Sequence, residues 1–147
     1  MKKIEYATLT EIEKKLIIEA IKTRENAYSP YSQYKVGAAV LDINNNIHTG
    51  CNVESADYTL TTHAEMLAID SMVKSGVTKV KEVAVVVKSD VGYGFPCGLC
   101  RQKIREFALN DDIIIYGVNL DRDKKIKDVY SALLSELLPG SFGPEFL

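Results

Sequence analysis

A chain of 147 residues is long enough for one domain whose core hides about two-thirds of the unfolded surface. With 46% hydrophobic and 26% charged residues it has the composition of a soluble protein; no apolar run could span a bilayer, and Met1-Lys2-Lys3 leading into Ile4-Glu5-Tyr6 is not a signal peptide. A formal charge of -2 and an isoelectric point near 5.7 argue against a broad electrostatic grip on nucleic acid, so neither a nucleic-acid nor a membrane partner is expected.

No internal repeat, low-complexity tract or linker interrupts the sequence, and residues 1–147 read as one domain. Thr10 is placed to cap a first helix through about Ala27, with an apolar stripe at Ile12, Leu16, Ile17, Ala20 and Ile21. Tyr28-Ser29-Pro30-Tyr31-Ser32 breaks that helix. Val36 to Ile43 and Ile47 to Val53 follow as strands of a hairpin turning at Asn44-Asn45-Asn46. Thr61 or Thr62 caps a second predicted helix, which runs to about Lys74 and stops at Gly76. Val83 to Val87 is a β-branched apolar run, typical of a strand covered on both faces. Pro96 leads into a third helix from about Cys97 to Phe107. Ile113 to Gly117 is a buried strand, Lys124 to Val129 a more polar one, and Ser131 to Leu138 a last helix before Pro139-Gly140. This order predicts an α/β fold with a mixed five-stranded sheet and helices on both faces, a three-layer α/β/α arrangement.

The chemistry concentrates where two of these helices begin. Three cysteines is an odd count, and Cys97-x-x-Cys100 without a secretory signal points to reduced thiolates in a cytoplasmic protein. Residues three apart on a helical turn share a face, so both sulfurs can reach one ion. The positive end of a helix favours thiolate over thiol. His63-Ala64-Glu65 opens the preceding helix. If both helices start at one end of the sheet, His63, Cys97 and Cys100 converge as three ligands of a catalytic zinc, leaving the fourth position for water. Glu65 then lies beside that water as an acid-base group rather than a ligand. Taken alone, His-x-Glu is an ordinary helix start, and Cys-x-x-Cys is equally a redox pair or half of a structural zinc site. For a four-ligand structural site the remaining donors are Cys51 and His48, both on the hairpin.

His-x-Glu followed by Pro-Cys-x-x-Cys is the signature of zinc nucleobase deaminases. The likeness extends through Ala27-Tyr28-Ser29-Pro30-Tyr31-Ser32, Val36-Gly37-Ala38-Ala39, Gly50-Cys51-Asn52-Val53-Glu54, Pro96 to Gln102, and Glu136 to Pro144. In these stretches the chain resembles the small homotetrameric cytidine deaminases. The Leu-Leu-Pro-x-Ser-Phe-Gly-Pro run, residues 137–144, separates nucleoside deaminases from those acting on tRNA or polynucleotides. The resemblance implies a cytidine deaminase-like fold, one zinc per subunit, and a nucleoside substrate. It implies that Asn52 and Glu54 bind the ribose 3'-hydroxyl, that Tyr34 stands where the family has a phenylalanine on the pyrimidine face, and that Phe142 enters a neighbouring subunit's site. The Ala64 amide and the Cys97 carbonyl would meet the base, and Arg101 would donate to ligand sulfur.

Two positions depart from the small-enzyme pattern together. His63 stands where cysteine is usual, and Met66 where arginine is usual. Three thiolates leave a zinc site one negative charge, which an arginine one turn along offsets; one histidine with two thiolates leaves it neutral. The expected reaction is hydrolysis of cytidine, and of deoxycytidine, to uridine or deoxyuridine and ammonia in pyrimidine salvage. Water attacks ring C4, and Glu65 passes its proton to N3 and then to the leaving amine. The alternatives are a deaminase of a modified cytosine nucleoside or a blasticidin-like compound and, from another class, a nucleic-acid-binding or editing module.

Overall fold

The computed structural model describes residues 1–90 and 92–147. Its strands are β1 (Lys2–Ile4), β2 (Gly37–Asp42), β3 (Ile47–Cys51), β4 (Val80–Val87), β5 (Ile114–Leu120) and β6 (Ile126–Leu133). Its helices are α1 (Glu11–Arg24), α2 (Ala64–Lys74), α3 (Gly98–Phe107) and the single turn α4 (Leu134–Leu137). One sheet runs in the order β1-β6-β5-β4-β2-β3. Strands β4 and β5 pair in parallel, and every other neighbouring pair is antiparallel.

The period-two alternation of β4 sorts the core into two layers. Val83 and Val85 face a cluster with Ala64, Ala68, Ile69 and Met72 of α2 and Ile104 of α3. Ala84 and Val86 face the opposite cluster, with Leu16, Ile17 and Ala20 of α1. This is why the strand is a continuous apolar run. Helix α1 starts as expected at Thr10, whose hydroxyl accepts from the Glu13 amide while the Glu13 side chain answers the Thr10 amide.

Both crossovers in this sheet matter for the site. Strands β3 and β4 are each antiparallel to the β2 strand between them, so they point the same way, as do β4 and β5. Helix α2 links the first pair and α3 the second, moving across the sheet in one direction. Right-handed crossovers therefore put both helices on one face, and both begin at the carboxyl ends of strands.

The expected five strands are corrected to six. Lys2–Ile4 pairs antiparallel with residues 129–131 of β6, but three residues beginning with two lysines show no alternation to read. The last helix is also shorter than expected. Ser131 to Leu133 complete β6 opposite Tyr116, Ile115 and Ile114, and only Leu134–Leu137 is helical. Pairing with a buried central strand overrides the local helical pattern. Helix α1 ends at Arg24 rather than Ala27, and the cap of α2 is His63 rather than Thr61 or Thr62.

Gly50 sets how closely α2 lies on the sheet. A Cβ placed there would overlap the Ala64 carbonyl and the Ala68 amide and stand 2.8 Å from Leu67 Cβ. Backbone atoms of a packed helix cannot yield as a flexible side chain does. Gly50→Ala is expected to cost about 1–3 kcal/mol, read as a lower urea midpoint at unchanged slope; an unchanged midpoint would mean that this close approach does not constrain the fold.

Candidate active site

His63 and Cys97 occupy equivalent places, each the capping residue of its helix, with extended φ/ψ of -77°/151° and -68°/169°. Neither side chain caps its own helix. Both are thereby free to project toward the gap between the two helix starts. His63 Nδ1 lies 3.2 Å from Cys100 Sγ and 3.4 Å from Cys97 Sγ, and the three donor atoms fall within 4.8 Å of one another. Zinc bonds of ~2.0 Å to nitrogen and ~2.3 Å to sulfur at a tetrahedral angle place the two donors about 3.5 Å apart. The trio fits one zinc ion. Among the described residues no other trio of His, Cys, Asp or Glu donors lies so close. His48, a donor considered for a four-ligand site, instead bonds Asp42 at 2.8 Å in the hairpin.

Burial pushes the Cys100 thiol far above its usual range, and Glu65 and Cys97 nearby push it further. A cation held against the sulfur is what makes its thiolate the stable form. Glu65 is 4% exposed. Burial raises its carboxyl, opposed by its own backbone amide, by Cys100 and by His63.

Two of the trio, His63 and Cys97, face a cleft of about 760 Å³, with Cys100 buried behind them. Tyr34, Asn52, Glu54, Ala64, Glu65 and Arg101 line it with His63 and Cys97. Asn52, 9% exposed, donates from Nδ2 to the Tyr34 carbonyl and accepts at Oδ1 from the Val36 amide, each at 2.8 Å. Glu54 accepts from the Tyr31 and Ser32 amides and the Ser32 hydroxyl, and the Ser32 bond leads the causes holding its carboxyl below the usual range. Both residues thus brace the 31–36 segment that carries Tyr34.

Of the other expected residues, Arg101 lines the cleft while Met66 and Phe142 do not. Arg101 reaches the cleft, but its Nε donates to the Pro96 carbonyl at 2.7 Å and its Nη1 to the Leu137 carbonyl at 2.9 Å. These two nitrogens thus join α3 to Pro96, just ahead of its cap, and to the end of α4. Met66 sits half-buried in the first turn of α2 and does not line the cleft. Phe142 is 57% exposed, stacks on Phe146 at a centroid distance of 5.2 Å, and stays outside the cleft of its own chain.

Sequence reasoning passed over one wall. Gly92, Tyr93, Gly94 and Phe95 also line the cleft, anchored where Asn119 Nδ2 donates to the Gly92 carbonyl at 2.7 Å. The signal was a glycine-aromatic alternation just before Pro96, which resembles an ordinary loop.

A cytidine and deoxycytidylate deaminase zinc-binding region is matched by residues 10–119. The chain is 42% identical over 133 residues to a cytidine deaminase of Sporosarcina psychrophila, covering 90% of this chain and 93% of that one. It is 40% identical to a cytidine deaminase of Halalkalibacterium halodurans, covering 88% and 93%. Its fold superposes on the cytidine deaminase of Burkholderia pseudomallei with a TM-score of 0.80 at 34% identity, over 91% of this chain and 100% of that one.

The double use of Asn52 has a measurable consequence. Asn52→Ala would leave the Val36 amide and the Tyr34 carbonyl without partners, a cost of about 1–3 kcal/mol. Amide exchange at Val36 is expected to accelerate in this variant; a protected Val36 amide would show that Asn52 does not hold the segment.

Proposed function

Because this chain belongs to the cytidine deaminase family, whose members are hydrolases of C–N bonds, we propose that it hydrolyses the exocyclic amine of cytidine and deoxycytidine. The products are the uracil nucleoside and ammonia, a step of pyrimidine salvage in the cytoplasm. The observation that carries this reading is a buried carboxyl, Glu65, beside a histidine-dithiol trio whose His63 and Cys97 line a cleft of about 760 Å³.

His63, Cys97 and Cys100 would hold one zinc per chain, which when bound supplies Lewis-acid activation of water. Glu65 accepts one proton of the attacking water and gives it to ring N3, then carries the second from the C4 hydroxyl to the amine, which leaves as ammonia as the C4–N bond breaks and the C4 carbonyl forms. Its surroundings suit both proton uptake and proton release, since burial favours the protonated form while its own backbone amide, Cys100 and His63 favour the ionised one. Ala64, the first residue of α2, has an amide with no partner within the helix, free to donate to the base. The Cys97 carbonyl already accepts from the Arg101 amide at 2.9 Å and keeps a second lone pair for the substrate amine. Asn52 and Glu54, held rigid by their bonds to the 31–36 segment, bracket the 3'-hydroxyl, and Tyr34 covers the ring.

Ultraviolet monitoring of cytidine, deoxycytidine, 5-methylcytidine and cytosine tests the assignment directly. Cytidine and deoxycytidine are expected to turn over, and zinc to be found at one per chain. Glu65→Gln is expected to keep the zinc and lose at least ~100-fold in turnover. Turnover only of the modified nucleoside would shift the substrate assignment, and near-normal rates in the variant would remove Glu65 from its role.

The working assembly is a homotetramer in which Phe142 enters a second copy's cleft. Its exposure outside its own cleft supports this, as does an exposed apolar group, Tyr28, Tyr31, Tyr58 and Leu60, on the segments that flank the cleft mouth. Light scattering is expected to give four chains, and deletion from Ser141 onward to remove activity while leaving a folded chain. A fully active monomer would strike Phe142 from the site.

A further inference from the structure

Helix α3 carries Cys100 in its first turn, and its later turns hold something else. Gln102 Nε2 donates to the Phe142 carbonyl at 2.9 Å. One turn on, Arg105 Nε lies 3.1 Å from both Ser141 Oγ and Asp111 Oδ1, and its Nη2 pairs with the Glu145 carboxylate. Arg105 is 8% exposed, whereas the side chains of its two acidic partners are more than half exposed. A planar guanidinium used at several corners fixes direction as well as distance, which a lysine ammonium cannot do.

The segment passes over this guanidinium at close range. A Cβ at Gly143 would stand 2.6 Å from both Cζ and Nη2 of Arg105. Its φ of -144° is open to any residue, so a side chain there would not strain the backbone but would displace the Arg105 guanidinium and the Glu145 carboxylate. The two residues flanking the crossing on either side, Phe142 and Phe146, then stack on each other at 19° between planes while remaining exposed. An exposed aromatic pair held from below by a buried cation is costly to order unless its order serves a contact.

We infer that Arg105 is a positioning residue, holding residues 141–146 in the shape that presents Phe142 to the second copy's cleft. The inference rests on the reading of Phe142 given above. Arg105 touches neither substrate nor metal ligands; it lowers the ordering cost of the intersubunit contact in advance, and so acts on substrate binding through Phe142.

Steady-state kinetics on cytidine separates these roles, using Phe142→Ala, Arg105→Met, Arg105→Lys, Glu145→Ala and the pairs of Arg105→Met and Glu145→Ala with Phe142→Ala. Zinc content and oligomeric state are measured for each. Arg105→Met and Glu145→Ala are expected to raise KM about tenfold with a smaller change in kcat, the scale of losing a pre-ordered contact. Arg105→Lys should recover only part of the loss. On the Phe142→Ala background neither change should add more than about twofold, because the residue through which they act is gone. Equal losses in both backgrounds, or an unchanged KM in Arg105→Met and Glu145→Ala, would overturn the inference while leaving Phe142 in place. Wild-type kinetics in Phe142→Ala would instead remove the intersubunit reading, and the positioning role with it. Should Arg105→Met fail to fold, Glu145→Ala, made at a half-exposed carboxylate, decides the matter by the same comparison.

Discussion

Two helices that leave parallel strands and cover the same face of a sheet must begin along one edge of it. In this protein that constraint brings His63 at the start of α2 within 3.4 Å of the sulfurs at the start of α3, across 34 and 37 residues of sequence. Every other feature of the site is arranged around that meeting. Both residues hold cap positions yet leave their own helices uncapped. The unpaired amides and positive ends of two helices therefore face the same small volume, an environment suited to thiolates and to a substrate accepting hydrogen bonds. Gly50 permits the approach, because any side chain there would lift α2 and its histidine away from the sheet.

Polar groups of the cleft serve the fold as well as the site. Asn52 and Glu54 commit hydrogen bonds to the segment that carries Tyr34, and Arg101 commits two to carbonyls before α3 and at the end of α4. Such bonds restrict the rotamers of side chains that must meet a ligand in one orientation. Their remaining donors and acceptors are few, so each is left with a narrow choice of partner. The cleft is accordingly shaped by its second bonds as much as by the atoms that line it.

Helix α3 joins two functions along its length. Its first turn carries Cys100, one of a trio that could hold a metal ion, and its flank holds the segment of Phe142 through Gln102 and Arg105. A displacement of this helix would disturb the His63-Cys97-Cys100 trio and the Phe142 segment together. The opposite face of the sheet carries the second core layer. There α1 closes the second core layer, and the Tyr116 hydroxyl donates to Glu13 at 2.6 Å beside the capping box. That contact ties the helix to the central strand without entering the cleft.

Local chemistry was legible in the sequence wherever a residue acts through its immediate neighbours. Thr10 announced the start of α1, the β-branched run announced β4, and the spacing of Cys97 and Cys100 announced two sulfurs on one helical face. Glu65 two residues past His63 was readable for the same reason. Three features depended on partners far along the chain: Lys2–Ile4 became a strand only by pairing with β6, Ser131 to Leu133 were drawn from helix to strand by β5, and Gly92 to Phe95 became a cleft wall only through Asn119. Sequence alone therefore determined which residues could carry the chemistry. The tertiary structure decided that Arg101 braces carbonyls, that Phe142 faces away from its own cleft, and that Arg105 lies beneath Gly143, because each depends on distances set by packing rather than by spacing along the chain.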